Sequence, residues 1–420
     1  MASSLKSKSF AFYTTVTWRR KVVAWSMLFF YLTQPIVASA EVIADPKAPP
    51  NTVSIVQPAA NGVPVVQIAT PTAGGVSHNF YQKFNVDPSG LILNNSRVVT
   101  QTQLAGYITG NSNLANGSAR IILNEVTSNN PSYLRGYTEV AGQKAEVIIA
   151  NPNGIYGDGF GFINTSRAVL TTGTPVFGGS GSLEAFRVTG GQIFIQGAGM
   201  NAADVDQVDL ISRSVAVNAG VWAKNLNVVT GSNTVDHNTL QADPVAGDAT
   251  TIPQVAIDIG QLGGMYANKI YLVGTEKGVG VNSSGTIAAQ AGDVTITSAG
   301  KVLLAGNTSA TGNIQVAADG DVTNQRTLYA QGNTNITTQG TLQNSGTLVA
   351  GQHTTLSAKS ITSTGDLGAG VKRDGTLGTT GNLTLNANGT ILAQGQNMAA
   401  GNLTIQSSCL LYTSPSPRDS

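Results

Sequence analysis

The chain has 420 residues, of which only 11% are charged while Gly alone contributes 49, and its formal net charge is +1. An ordinary soluble domain carries about 25% charged residues, so this surface must be uncharged polar; with no excess of either sign there is no pull toward DNA, RNA or acidic lipid, and nucleic acid is not an expected partner. Hydrophobic content of 41% supports a core and argues against a disordered chain.

At the N-terminus, Lys6, Lys8, Arg19, Arg20 and Lys21 precede an apolar run from Val22 to Leu32, followed by Pro35 and Ala38-Ser39-Ala40. Basic flank, short apolar run and small-x-small triplet make a signal peptide over residues 1–40. The run is about a dozen residues, short of the roughly 20 that cross a bilayer. Cleavage between Ala40 and Glu41 is expected, so the protein enters the secretory route. With one cysteine, Cys409, such a chain has no internal disulfide and needs another staple.

Further along, "AEVIIANPNGI" runs from Ala145 to Ile155. Val147 and Ile149 face one side of a strand and Ile148 the other, which predicts a strand covered on both sides. Asn151-Pro152-Asn153-Gly154 then suits a type I turn at each position. Carboxamides donate and accept hydrogen bonds but do not titrate, so this turn folds or binds and has no general acid or base chemistry.

From Gly292 the chain repeats, with starts at Gly312, Gly332, Gly351, Gly381 and Gly401, giving steps of 20, 20, 19, 30 and 20 residues. Pieces such as Val294-Thr295-Ile296 and Leu383-Thr384-Leu385 alternate apolar and polar residues, and Gly-Asn pairs supply turns. No such unit buries its apolar face alone, so successive coils must stack into parallel ladders. The expected fold is all-β, a right-handed parallel β-helix of around 15 coils and about 70 Å. A helical alternative fails because Gly, Thr, Val and Asn disfavour helix and no 3.6-residue period persists. The open edge of the first coil needs a cap, expected in the irregular segment "EVIADPKAPPNTVSIVQPAANGVPVVQIATPTAGG" after residue 40. Residues 409–420, "CLLYTSPSPRDS", break the pattern and are set apart as a suspected non-native tail.

The stretch "NPSYLRGYTEVAGQKAEVIIANPNGIYGDGFGFINTSRAVLTTG" closely resembles the secretion domain of two-partner secretion exoproteins, a family of filamentous haemagglutinins, adhesins, haemolysins and contact-dependent growth-inhibition proteins. The resemblance runs from "HNFYQKFNVDPSGLILNNS" to about residue 233. Two short family signatures carry over. Asn151, Pro152, Asn153, Gly154 and Ile155 match one fully, while Asn111, Ser112, Asn113 and Leu114 match the other with Ser in place of the usual Pro. That departure loosens the unfolded chain at a cost of about 0.4–1 kcal/mol. The resemblance implies that these residues serve recognition by a dedicated outer-membrane β-barrel transporter with soluble periplasmic modules. It also implies export to the cell surface, and a receptor-binding region further along the protein. The secretion domain is expected over 41–270 and the repeats over 271–408.

Enzyme readings find little. His78, His237 and His353 are far apart and read as solvated or turn residues. Asp204, Asp206 and Asp209 read as solvated carboxylates, since no twelve-residue calcium loop surrounds them. "GTEKGVGVNSSG" lacks the context of a phosphate cradle, so its glycines read as corners. No catalytic or metal residue and no cofactor is assigned; the alternative function is a secreted β-helix enzyme that cleaves polysaccharide.

Overall fold

The alternation in the repeats decides which way each side chain points. The computed structural model describes residues 42–408, apart from 51 and 53, together with the backbone of Leu411–Thr413. The expected cleavage site at Ala38, Ala40 and Glu41, the rest of the leader and Cys409 lie outside the described residues. In the strand Val294–Ser298, Val294 and Ile296 are buried while Thr295 and Thr297 are not. Ile314, Thr334 and Thr354 follow Val294 in parallel register, one per coil. Two further columns pass through the same coils, one through Val302, Val322 and Leu342, the other through Thr308, Leu328 and Leu348. Three strands per coil therefore wrap one axis, and each coil bonds only to its two neighbours. The structure is a parallel β-helix.

Among the described residues, the first of these columns holds thirteen parallel strands, from Val76–Phe84 to Leu403–Ser407. At the usual strand spacing this is about 58 Å, shorter than the 15 coils and 70 Å expected. The difference lies in long coils: the step is 18 residues from Val208 to Leu226 but 45 from Val76 to Ile121. The surplus leaves the ladder as hairpins.

The repeat register also differs by one residue from the glycine-based reading. Gln352, not Gly351, donates its backbone N–H to Gly332, as Gly332 does to Gly312, so the strand steps are Thr334 to Thr354 and Thr354 to Leu383. The corner is fixed by a side-chain ladder rather than by glycine. Asp293 Oδ1 accepts from the N–H of Asn313, Asn313 Oδ1 from Asn333, Asn333 Oδ1 from His353, and His353 Nδ1 from Asn382.

The interior is one apolar cluster that reaches from Val66 to Ala393, each fully buried Val, Leu or Ile being worth about 1.5–3 kcal/mol. Buried amides inside it are stapled along the axis, Asn324 Nδ2 to Asn344 Oδ1 at 2.8 Å and Asn344 Nδ2 to Ser363 Oγ at 2.9 Å. The N-terminal edge is capped by the segment expected to do so. Val42–Ala44 pairs antiparallel with Val76–Phe84, and Ile55–Pro58 pairs antiparallel with Pro64–Gln67, which would otherwise be an open edge. At the other end the backbone of Leu411–Thr413 pairs in parallel with Ile391–Ala393, one rung into the segment set apart as a tail.

Two elements lie outside the helix. A four-stranded antiparallel flap, in the order Thr174–Phe177, Leu183–Val188, Asn233–Asp236 and Ala242–Pro244, covers the outer face of the first column. Its Leu183, Phe186, Val188 and Val235 pack on Ile121, Leu123, Ile148, Ala150, Val169, Ile211 and Val229. This explains the double-sided strand: Val147 and Ile149 face the axis and Ile148 faces the flap. A smaller hairpin, Thr100–Thr102 with Gly106–Ile108, places Ile108 against Val63, Val65 and Ile92.

Candidate functional site: two Asn-x-Asn turns

The two signatures fold into the same device. After the strand Ala145–Ala150, Asn151 turns the chain inward and is fully buried. Its Oδ1 accepts from the backbone N–H of Asn153 at 3.0 Å, and the N–H of Gly154 closes the turn on Asn151 O at 3.1 Å. Asn151 Nδ2 donates to Asn130 O and to Ser132 Oγ, both at 2.9 Å. Asn153 is exposed, yet its Nδ2 donates to Ser128 O at 2.6 Å. The turn is thereby sewn to the 128–132 segment of the previous coil. Gly154 has φ +107°, a conformation that L side chains rarely adopt, and Ile155 enters the core. Pro152 sits exposed at the tip.

Asn111 repeats the pattern. Its Oδ1 accepts from Asn113 N–H at 3.0 Å, and its Nδ2 donates to Ile68 O and Asn94 O at 2.9 and 3.0 Å. Asn113 Nδ2 also donates to Ile68 O at 3.0 Å, so this turn ties the cap to the first coils. Ser112–Leu114 forms one 3₁₀ turn, with Ser112 exposed at its first position and Leu114 fully buried. Proline fits that first position, so Ser there keeps the turn. The turns are legible in the sequence and their partners are not; Ser128, Asn130 and Ser132 lie in the polar run "TSNNPS" that leads into the strand Ser132–Leu134, which is the only signal for them.

The histidines need correction. His237 is buried under the flap, with Nε2 2.7 Å from Glu146 Oε1, and His78 lies 2.6 Å from Glu125 with its ring between Phe80 and Phe177. Only His353 sits in an exposed turn as expected. His78 lies on the face that the flap closes and His237 follows the flap strand Asn233–Asp236 and points back onto that face, which one-dimensional spacing does not reveal. Asp209 is corrected likewise: it is fully buried at 2.5 Å from Arg167 Nε, whereas Asp206 is exposed and bridges Lys224 and Lys144 at 2.8 and 3.3 Å. The hydrogen bond from Lys224, then that from Lys144, holds the Asp206 carboxyl below its ordinary range. Among the described residues no three His, Cys, Asp or Glu side chains gather as metal ligands do. In "GTEKGVGVNSSG", Glu276 is spent on Arg213 at 2.6 Å.

The TPS secretion domain family matches residues 40–304, and haemagglutinin repeats match 309–372 and 362–408. The chain is 54% identical over 387 residues to "tRNA nuclease CdiA-2" of Burkholderia pseudomallei (strain 1026b), covering 92% of this chain and 12% of that protein. It is 50% identical over 299 residues to "Toxin CdiA" of Yersinia pestis, covering 70% and 9%. The chain thus spans about a tenth of the length of these relatives. A crystal structure of the filamentous hemagglutinin secretion domain superposes with TM-score 0.54 at 26% identity, over 89% of this chain and 99% of that one. The matched region is a secretion domain and not a catalytic one, which sets aside polysaccharide cleavage for it. The chain belongs to the two-partner secretion exoproteins, of which it carries the TPS secretion domain and the haemagglutinin repeats that follow.

Proposed function

We propose that residues 41 to about 270 act as an export signal read in the periplasm by the soluble modules of an outer-membrane β-barrel transporter. The chain crosses that membrane unfolded and coils up outside, coil upon coil, each with only nearest-neighbour contacts to make. The repeats begin the shaft of a large surface protein, an adhesin or the stalk of a contact-dependent growth-inhibition toxin. Its contact with a receptor on a host or neighbouring cell belongs to sequence beyond residue 408.

The observation that carries this reading is the burial of Asn151. Its carboxamide is fully covered and engaged on both atoms in the folded protein. A partner that reads Asn151 does so before the coil closes, and edge addition of an extended segment is the physical mode that suits an unfolded stretch. The test is export of an Asn151→Ala/Asn153→Ala chain from cells that make the transporter. Retention inside the cell is expected; secretion at the parental level removes the recognition role.

A further inference from the structure

Two aromatic columns stand on the outer face of the coils: Tyr133, Tyr156 and Phe194 stack on three rungs, and a longer column mixes aromatic and amide side chains. In-register pairing runs from Tyr137 to Gly161, Asn201, Trp222 and Tyr266 on five successive rungs, about 19 Å along the axis. Their neighbours Thr138, Phe162, Met200, Val221 and Met265 point inward, so the column faces out.

Its aromatic rings lie flat on the sheet. A Cβ placed on Gly220 would sit 2.2 Å from Trp222 Cη2 and 2.7 Å from both Cζ2 and Cζ3, the distances of a point beneath a ring face and not beyond its edge. A Cβ on Gly264 would meet Tyr266 in the same way, at 2.6 to 2.8 Å from three atoms, and one on Gly161 would be 2.5 Å from Tyr137 Cε1. Glycine at these places lets the rings lie down. The Trp222 and Tyr266 planes are 15° apart with centroids 5.9 Å apart, and Trp222 stays 43% exposed.

Between the aromatic groups, Asn201 is exposed and its Nδ2 donates to Tyr137 Oη at 3.1 Å, which leaves the Tyr137 hydroxyl proton and the second amide proton to donate outward. Tyr137 and Asn201 also line a surface groove of about 580 Å³, where the charged residues, Lys144 and Asp204, are of opposite sign. Flat apolar plates flank one neutral amide and phenol pair along a column that carries no charged residue. Such a surface matches a sugar chain, whose rings offer C–H faces to the plates and hydroxyls to the amide and phenol. The balance of charge selects a neutral glycan over an anionic one.

We propose that the Tyr137–Asn201–Trp222–Tyr266 strip binds a neutral hexose glycan laid along the rod axis. Trp222 is its own reporter, because the other two tryptophans, Trp18 and Trp25, lie in the leader expected to be removed from the exported chain. Cellohexaose, maltohexaose and mannohexaose are titrated against that chain up to about 10 mM, with a heparin hexasaccharide as the anionic comparison. At least one neutral hexasaccharide is expected to change Trp222 emission saturably, and the heparin fragment is not. Asn201→Ala, an exposed change, and Tyr266→Ala are each expected to weaken binding about tenfold with the far-ultraviolet circular dichroism unchanged. No response to any neutral hexasaccharide, a response to heparin alone, or parental affinity in both variants overturns the proposal.

Discussion

Replacing Asn151 by Ala separates the folding role of the turn from the export role proposed for it. In the folded protein the change deletes two donated contacts, to Asn130 O and Ser132 Oγ, and two accepted ones, from the N–H and Nδ2 of Asn153, and leaves the hydroxyl of the buried Ser132 and the Asn153 N–H without this partner. A buried group stranded in this way costs about 1–3 kcal/mol, so two together cost about 3 kcal/mol. Asn153→Ala removes a contact from an exposed residue to Ser128 O and costs about 1 kcal/mol. At 1.4 kcal/mol per tenfold, hydrogen exchange in the strand Ala145–Ala150 speeds up about 100-fold in the first variant and about 5-fold in the second. Mass spectrometry of peptides from that strand reads both. Equal rates in the two variants refute the geometry of the turn. Export then gives the second readout: recognition of the unfolded segment predicts that both variants lose export alike. Export that falls in the order of the exchange rates reassigns the motif to folding alone.

Three further changes test the rest of the architecture. Asp209→Ala leaves the Arg167 guanidinium beneath the flap with Glu146, at 3.6 Å, as its remaining carboxylate, at a cost below the about 3–5 kcal/mol of an uncompensated charge, so limited proteolysis is expected to cut the 174–188 hairpin faster than in the parent; equal rates contradict a contribution of this pair to holding the flap. Gly306→Ala would place a Cβ 1.8 Å from Gly285 O on the rung below and is expected to lower the melting temperature, whereas Gly190→Ala, with nothing within 4 Å and no positive φ, leaves it unchanged. The Asp45 carboxyl in the cap is held below its ordinary range by Thr127, whose hydroxyl donates at 2.6 Å, and then by the Lys47 N–H. Because the folded value is depressed, its contribution is present above the ordinary carboxylate pKa of about 3.9 and is lost as pH falls through the lowered one. Exchange of the Val42–Ala44 amides is expected to rise over that acid range in the parent, and to rise less in Thr127→Val, where only Lys47 still favours the charged carboxylate.

The ladder was legible because its period is written in residues that alternate, and Val294-Thr295-Ile296 permits no other face. The one-residue slip at Gly351 came from aligning on glycine. The rung is set by Asp293, Asn313, Asn333, His353 and Asn382, whose side chains cap the next coil, and aligning on those positions gives the observed register. His353 hides the pattern because an imidazole nitrogen replaces a carboxamide oxygen as acceptor. The flap was visible only indirectly. Its strands come from Thr174–Val188 and Asn233–Pro244, antiparallel pieces that local propensity cannot join. Its footprint, however, is in the sequence: Ile121-Ile122-Leu123, Val147-Ile148-Ile149, Ala168-Val169-Leu170 and Val228-Val229 are apolar on both faces, and from Val294 onward the outer positions turn to Thr and Gln.

That footprint divides the rod into two regimes with different needs. From Val76 to Val229 the first column is buried on both faces, so its stability draws on the flap and on ionic contacts such as Arg167 with Asp209 that form only after distant segments have been made. From Val294 on, each coil closes on the one before it through ladders of its own corner and interior amides. Long-range closure is slow and local stacking is fast, because the cost of loop closure must be met before distant contacts form. The two-faced region is therefore expected to stay open longest as the chain is made, and it is the region that carries both Asn-x-Asn turns. On the reading proposed above, one sequence serves first as an extended signal and then as part of the rod, because its folding waits for the distant strands of the flap.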